Sequence, residues 1–310
     1  MAISPVMRRA LEALSAVELS PTENYALERA LVDVTHPRLF KPFHRVWDYK
    51  VVRDGADIPV RIYAPEAEGN FPLLLFFHGG GWVTGNIGSY DRVCAQMAEQ
   101  TGHTVVSVDY RLAPENKFPV PLEDCYAAAL ELFRRCGTLG ASAEEITLIG
   151  DSAGGNLAAA VSLLARDRGE FAPKRQILIY PAVASDHGES SPFASVHENG
   201  AGYILTNKRI NAYMELYSSE ESDYYNPYFA PLTAADLRRQ PETLVITAEY
   251  DPLRDEGEAY AAALREAGGS ASVYRVADAL HGFFSLSTRF RAVREAYTEI
   301  NRFLGKGGSR

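Results

Sequence analysis

Ile146-Thr147-Leu148-Ile149-Gly150-Asp151-Ser152-Ala153-Gly154-Gly155-Asn156 is the stretch that decides how this 310-residue chain folds. Ile146–Ile149 is a short apolar run of the kind that fills a strand buried on both faces. Ala153–Ala165, rich in alanine and leucine, reads as a helix. Between them lies the pattern G-x-S-x-G. A turn this tight puts the serine backbone in a strained conformation, and side chains two residues before or after it would collide. Glycine at 150 and 154 meets that need, and the turn lifts the Ser152 hydroxyl clear of the sheet edge. Alone the pattern is weak, since chance supplies it in roughly one chain in eight of this composition. The strand-turn-helix setting makes Ser152 a candidate nucleophile rather than an ordinary turn.

Working outward, strand-like and helix-like segments alternate. Phe71–Phe77, Thr104–Val108, Gln176–Tyr180, Thr243–Thr247 and Ser272–Val276 are further strand runs. Between them, Val93 and Met97 share a helical face, with Ser89 as candidate N-cap and Gly102 as stop. Leu122, Tyr126, Ala129, Leu130 and Phe133 repeat at helical spacing. Asp255–Ala267 ends at Gly268-Gly269, and Val293, Tyr297, Ile300 and Leu304 stripe a last helix. Such alternation predicts an α/β fold, a mostly parallel eight-stranded sheet with helices on both faces. Trp47–Val52 and Ile58–Tyr63, flanking Asp54-Gly55, predict an antiparallel hairpin at one edge. Residues 1–45, with Met7, Leu11 and Leu14 on one side, and residues 185–235, with Ile210, Tyr213, Met214 and Tyr217 behind a Thr206 cap, break the pattern. Neither segment forms a core alone. They are expected to join as a helical cap, leaving 46–184 and 236–310 as the catalytic domain.

Bulk properties narrow the classes. Hydrophobic residues make up 46% and charged residues 23%, enough apolar content for a sizeable core. A net charge of -9 argues against nucleic acid, because phosphate contacts need clustered Lys and Arg. No apolar run is long enough to span a bilayer. Cys94, Cys125 and Cys136 are odd in number and lack metal-ligand spacing, which fits a reducing compartment. With no apolar leader in the first ten residues, the expectation is a cytoplasmic protein. No metal or cofactor is called for, and a homo-oligomer stays open.

His78-Gly79-Gly80-Gly81-Trp82 follows the strand Phe71–Phe77. A glycine run there exposes backbone N–H groups that can receive an anion. It carries neither Gly-Lys-Ser/Thr nor G-x-G-x-x-G, so an oxyanion hole fits better than a phosphate loop. An activated serine needs a base and a carboxylate behind it. Of seven histidines, His281 follows the last strand run and precedes the last helix. Asp251 follows Thr243–Thr247 in the same way. Ser152, Asp251 and His281 thus sit at strand C-terminal ends, where open α/β sheets place their sites, in the order Ser, Asp, His. Asp255 and Glu256 are competing carboxylates, expected inside the next helix. Trp82 and Phe283 adjoin these segments and are candidate pocket residues.

Together with Asp109-Tyr110-Arg111-Leu112-Ala113-Pro114-Glu115, Asp251-Pro252-Leu253-Arg254-Asp255-Glu256-Gly257 and His281-Gly282-Phe283, these motifs run in order over about three quarters of the chain. The chain thereby resembles the hormone-sensitive-lipase-like (family IV) esterases of the α/β-hydrolase superfamily. The resemblance implies oxyanion donors at the N–H groups of Gly80, Gly81 and Ala153, and a bracing role for Asp109–Glu115. It also implies a cap that shapes the acyl pocket, and short- to medium-chain acyl esters as the small-molecule substrates. Two other readings remain: a silent receptor on the same scaffold, as in plant gibberellin receptors, which lack the triad histidine, and an amidase or peptidase with the same triad.

Overall fold

The computed structural model describes residues 20–35, 45–52 and 55–305. Met7, Leu11, Leu14, Asp54 and the tail beyond Gly305 lie outside the described residues, so the expectations placed on them are not taken further.

Eight strands form one sheet: β1 (Arg45–Val51), β2 (Ile58–Ala64), β3 (Leu73–Phe77), β4 (Thr104–Val108), β5 (Ile146–Asp151), β6 (Arg175–Ile179), β7 (Glu242–Tyr250) and β8 (Ala271–Leu280). Their order is β1-β2-β4-β3-β5-β6-β7-β8. β1 and β2 pair antiparallel, as do β2 and β4. Every pair from β4 to β8 is parallel. The chain therefore has the fold expected from its alternation, with the hairpin at one edge.

Burial follows from strand periodicity. Leu73, Leu75 and Phe77 join one apolar cluster, and Leu74 and Phe76 join another on the opposite face. Alternate residues point to opposite faces, so a strand apolar throughout must be covered twice. On the first face lie α3 (Val120–Arg135), α4 (Ala153–Arg168) and α7 (Arg254–Glu266). On the second lie α2 (Asp91–Thr101) and α8 (Arg291–Phe303). Each fully buried Leu or Phe contributes roughly 1.5–3 kcal/mol. Gly102 stops α2 in the left-handed conformation, as expected. Ser89 does not cap it: the helix begins at Asp91, and Ser89 instead closes a turn with Asn86.

Three further helices among the described residues lie outside this sandwich: α1 (Pro21–Thr35), α5 (Ala194–Asn199) and α6 (Asn207–Tyr217). Thr206 caps α6 by accepting from the Arg209 N–H. The N-terminal and inserted segments meet: Arg209 and the Tyr213 hydroxyl of α6 both bond Glu28 of α1.

Strand register positions the site. The parallel pairing of β7 with β8 runs past a bulge to Tyr250 opposite Leu280. The next residue on each strand is Asp251 and His281, so the two emerge side by side. Ser152 emerges two strands away, at the end of β5.

Candidate active site

Ser152 has φ 55° and ψ −119°, in the left-handed half of the map where a side chain is strained. Its N–H donates to Ile179 O of the neighbouring strand, and its carbonyl accepts from Asn156 N–H in the helix. A Cβ on Gly154 would strike the carbonyl of Phe77, and one on Gly150 would strike the carbonyl of Gly154. The glycines are required because backbone abuts backbone there.

The three distant residues converge. His281 Nε2 lies 2.9 Å from Ser152 Oγ, and His281 Nδ1 lies 2.7 Å from Asp251 Oδ2. An ionised carboxylate only accepts, so Nδ1 carries the proton and Nε2 is left as acceptor for the serine hydroxyl. Asp251 is fully buried, and its other oxygen accepts from Leu253 N–H at 3.0 Å. The competing carboxylates are engaged elsewhere. Asp255 pairs with Arg254 and accepts from Ser195 N–H. Glu256 accepts from Val183 N–H, Ala184 N–H and His187 Nε2, anchoring the start of the inserted segment.

The glycine loop passes over the serine turn. Gly80 and Gly81 have φ 112° and 61°, and neither N–H has a protein acceptor among the described residues. Ala153 opens α4, where the first N–H groups have no intrahelical partner. Three donors unclaimed by the chain therefore lie in the two loops that meet at Ser152. His78 is buried, its ring stacked on Tyr110 at 4.3 Å and its Nδ1 2.8 Å from Gly79 O. Burial lowers its pKa and keeps the ring neutral. The Tyr110 hydroxyl donates to His78 O, and Arg111 forms a two-pronged pair with Asp124. Asp109 accepts from Ile87 N–H. Asp109 and Tyr110 thus hold main chain of the glycine loop and its flank, while Arg111 is held by Asp124.

Trp82 and Phe283, the expected pocket residues, both carry buried rings. Trp82 is 2% exposed and its ring stacks on Tyr217 at 4.6 Å, within the aromatic core. Its φ is 61°. Phe283 is 4% exposed and lies edge-on to Tyr180. The Tyr213 ring reaches the glycine loop, and a Cβ on Gly81 would collide with it.

Sequence reasoning also missed the role of Asp151, which fills the unspecified position before the serine in G-x-S-x-G. Its buried carboxylate accepts from Gly79 N–H at 2.8 Å and from the hydroxyls of Tyr90 and Tyr180 at 3.1 and 3.4 Å. Tyr180 in turn lies 4.7 Å from the His281 ring. One carboxylate therefore ties the glycine loop to the wall behind the histidine. A polar residue ending an otherwise apolar buried strand was the available signal. Burial pushes the Asp151 carboxyl up to about 6, against the pull of its three donors and of His281. Because the folded pKa is raised, the folded state holds the proton more tightly. That contribution is complete below the unfolded value near 4 and is lost as pH rises through about 6. Asp151→Asn removes the titration. The stability of the variant relative to the parent is expected to rise between pH 4.5 and 7 by about 2 kcal/mol, then level off. Urea unfolding of both proteins across that range checks it, and a flat or falling difference refutes it.

Known proteins resemble this chain in sequence and in fold. A family model described as alpha/beta hydrolase fold matches residues 74–285. The chain is 40% identical over 253 residues to an arylesterase of Saccharolobus solfataricus, covering 81% of each. It is 34% identical over 301 residues to the carboxylesterase NlhH of Mycobacterium tuberculosis, covering 95% of this chain and 92% of the relative. Among solved structures, a hyperthermophilic esterase from Pyrobaculum calidifontis superposes with TM-score 0.86 at 39% identity, covering 99% of both chains. The fold, the serine turn and the family match together define an α/β-hydrolase. Within that class, the chain belongs to the hormone-sensitive-lipase-like family IV, among relatives named as esterases. No helix among the described residues is long and apolar enough to cross a membrane.

Proposed function

We propose that the chain is a serine carboxylesterase that hydrolyses short- to medium-chain acyl esters through an acyl-enzyme. The reading rests on the hydrogen-bonded relay Ser152–His281–Asp251, with steps of 2.9 and 2.7 Å, at the end of a parallel sheet. As Ser152 Oγ attacks the ester carbonyl, its proton passes to His281 Nε2. The N–H groups of Gly80, Gly81 and Ala153 receive the oxyanion, where one such donor is worth about 3 kcal/mol of barrier. His281 then gives the proton to the departing alkoxide, leaving Ser152 acylated. Water repeats the sequence, with His281 as base toward water and then acid toward Ser152. Asp251 holds Nδ1 protonated and stabilises the imidazolium that forms twice per turnover.

A series of p-nitrophenyl esters from C2 to C16 tests the substrate class. The expected kcat/KM is highest at or below medium chain length and falls sharply beyond. A continuous rise toward C16 would place the chain among long-chain lipases and refute the chain-length assignment. Labelling with a p-nitrophenyl phosphonate should add one phosphonyl group per chain, on Ser152. Labelling elsewhere, or none, contradicts the mechanism.

A further inference from the structure

We propose that helix α1 is a positioning element for the oxyanion loop, and that Arg29 is the residue through which it acts. The proposal rests on the serine-esterase reading and gives this helix a task beyond shaping a pocket.

Arg29 spends its whole guanidinium on the loop and its brace. Nε donates to Val83 O at 2.7 Å, and Nη2 donates to Ala113 O at 2.7 Å. Nη1 and Nη2 also grip both oxygens of Glu115 at 2.8 Å. Val83 and Ala113 come from separate loops, already joined by Ala113 N–H to Trp82 O. A planar fork with five donors can hold two carbonyls and a carboxylate at once, which a lysine cannot. One turn later on α1, Asp33 accepts from the Asn86 side chain at 2.7 Å. One residue earlier, Glu28 accepts from the Tyr213 hydroxyl at 2.7 Å and from Arg209 at 2.8 Å. That pair holds the Tyr213 ring over Gly81, leaving no room for a Cβ. Helix α1 thus grips the loop directly at residues 83 and 86, and indirectly at residue 81.

The loop needs such an anchor. Gly80, Gly81 and Trp82 all have positive φ, a run of backbone that persists only where surroundings over-determine it. Its own bonds, Val83 N–H and Thr84 N–H to Gly80 O, only close a turn; Gly79 N–H to Asp151 ties the start of the loop beside Ser152, and Arg29 holds its far side at Val83. Donors misplaced by a fraction of an ångström lose oxyanion stabilisation while ground-state binding is unchanged. The signature is a fall in kcat, not a rise in KM.

The test uses the full chain with p-nitrophenyl butyrate, below the unfolding temperature of each variant. Parent turnover and its loss in Ser152→Ala establish the esterase reading independently. Arg29→Ala is then expected to lower kcat roughly 10- to 100-fold, with KM within about threefold of the parent. Arg29→Lys should recover only part of that loss. Glu115→Gln, which leaves both carbonyl bonds in place, should stay within about threefold in kcat. An unchanged kcat with a lower unfolding temperature would make Arg29 a purely structural residue and overturn the proposal. A rise in KM alone would reduce α1 to a lid and overturn it too. A loss in Glu115→Gln as large as in Arg29→Ala would place the effect in the ion pair, against the carbonyl anchor.

Discussion

Replacing Ser152 with alanine is expected to lower kcat for p-nitrophenyl butyrate by roughly a million-fold, with no change in fold. The hydroxyl is the only atom group removed. The turn that carries it is held by backbone bonds to Ile179 O and from Asn156 N–H, and by glycines packed against main chain, all of which remain. Alanine tolerates the left-handed φ of 55° no worse than serine does. Residual rate over water should survive, since an oxyanion site accelerates attack by water without a nucleophile. Kinetics on protein purified free of host esterases, alongside circular dichroism, checks both halves. Turnover within about a hundredfold of the parent would remove Ser152 from the chemistry.

Asp251→Asn is expected to cost roughly 10,000-fold in kcat at neutral pH, with a small change in KM. The reason is a proton on the wrong nitrogen. Leu253 N–H donates to one oxygen of Asp251, so an asparagine keeps its carbonyl there and turns its amide NH2 toward His281. Two donors cannot face each other, so Nδ1 gives up its proton and Nε2 takes it. His281 Nε2 then meets Ser152 Oγ as a donor and cannot accept the serine proton. A pH-rate profile and active-site titration measure the effect. A loss below about tenfold would mean that another group orients the imidazole.

Much of this molecule was legible because its signals are local. Strands buried on both faces read as unbroken apolar runs, and Thr104–Val108 matches β4 to the residue. Ser152, Asp251 and His281 were each marked by a place just beyond such a run. What escaped depends on side chains meeting across long stretches of chain. Arg29 meets Val83 and Ala113 across 54 and 84 residues, and Glu28 meets Tyr213 across 185. No periodicity records those partners. Strand ends were missed where edge strands outrun their apolar part. β8 continues through Ala277 and Asp278 to Leu280, four beyond the run that announced it.

That outermost strand has a consequence for how the molecule fails. β8 is paired on one side only, and His281 hangs from its last residue. The proposed nucleophile, Ser152, is rooted in the middle of the sheet, whereas its proposed proton acceptor, His281, is fastened to the rim. Sheet edges open at lower free energy than centres. Peeling back a few rungs would unplug the imidazole while the interior stayed intact, so silence of the enzyme is a more local event than collapse of the fold.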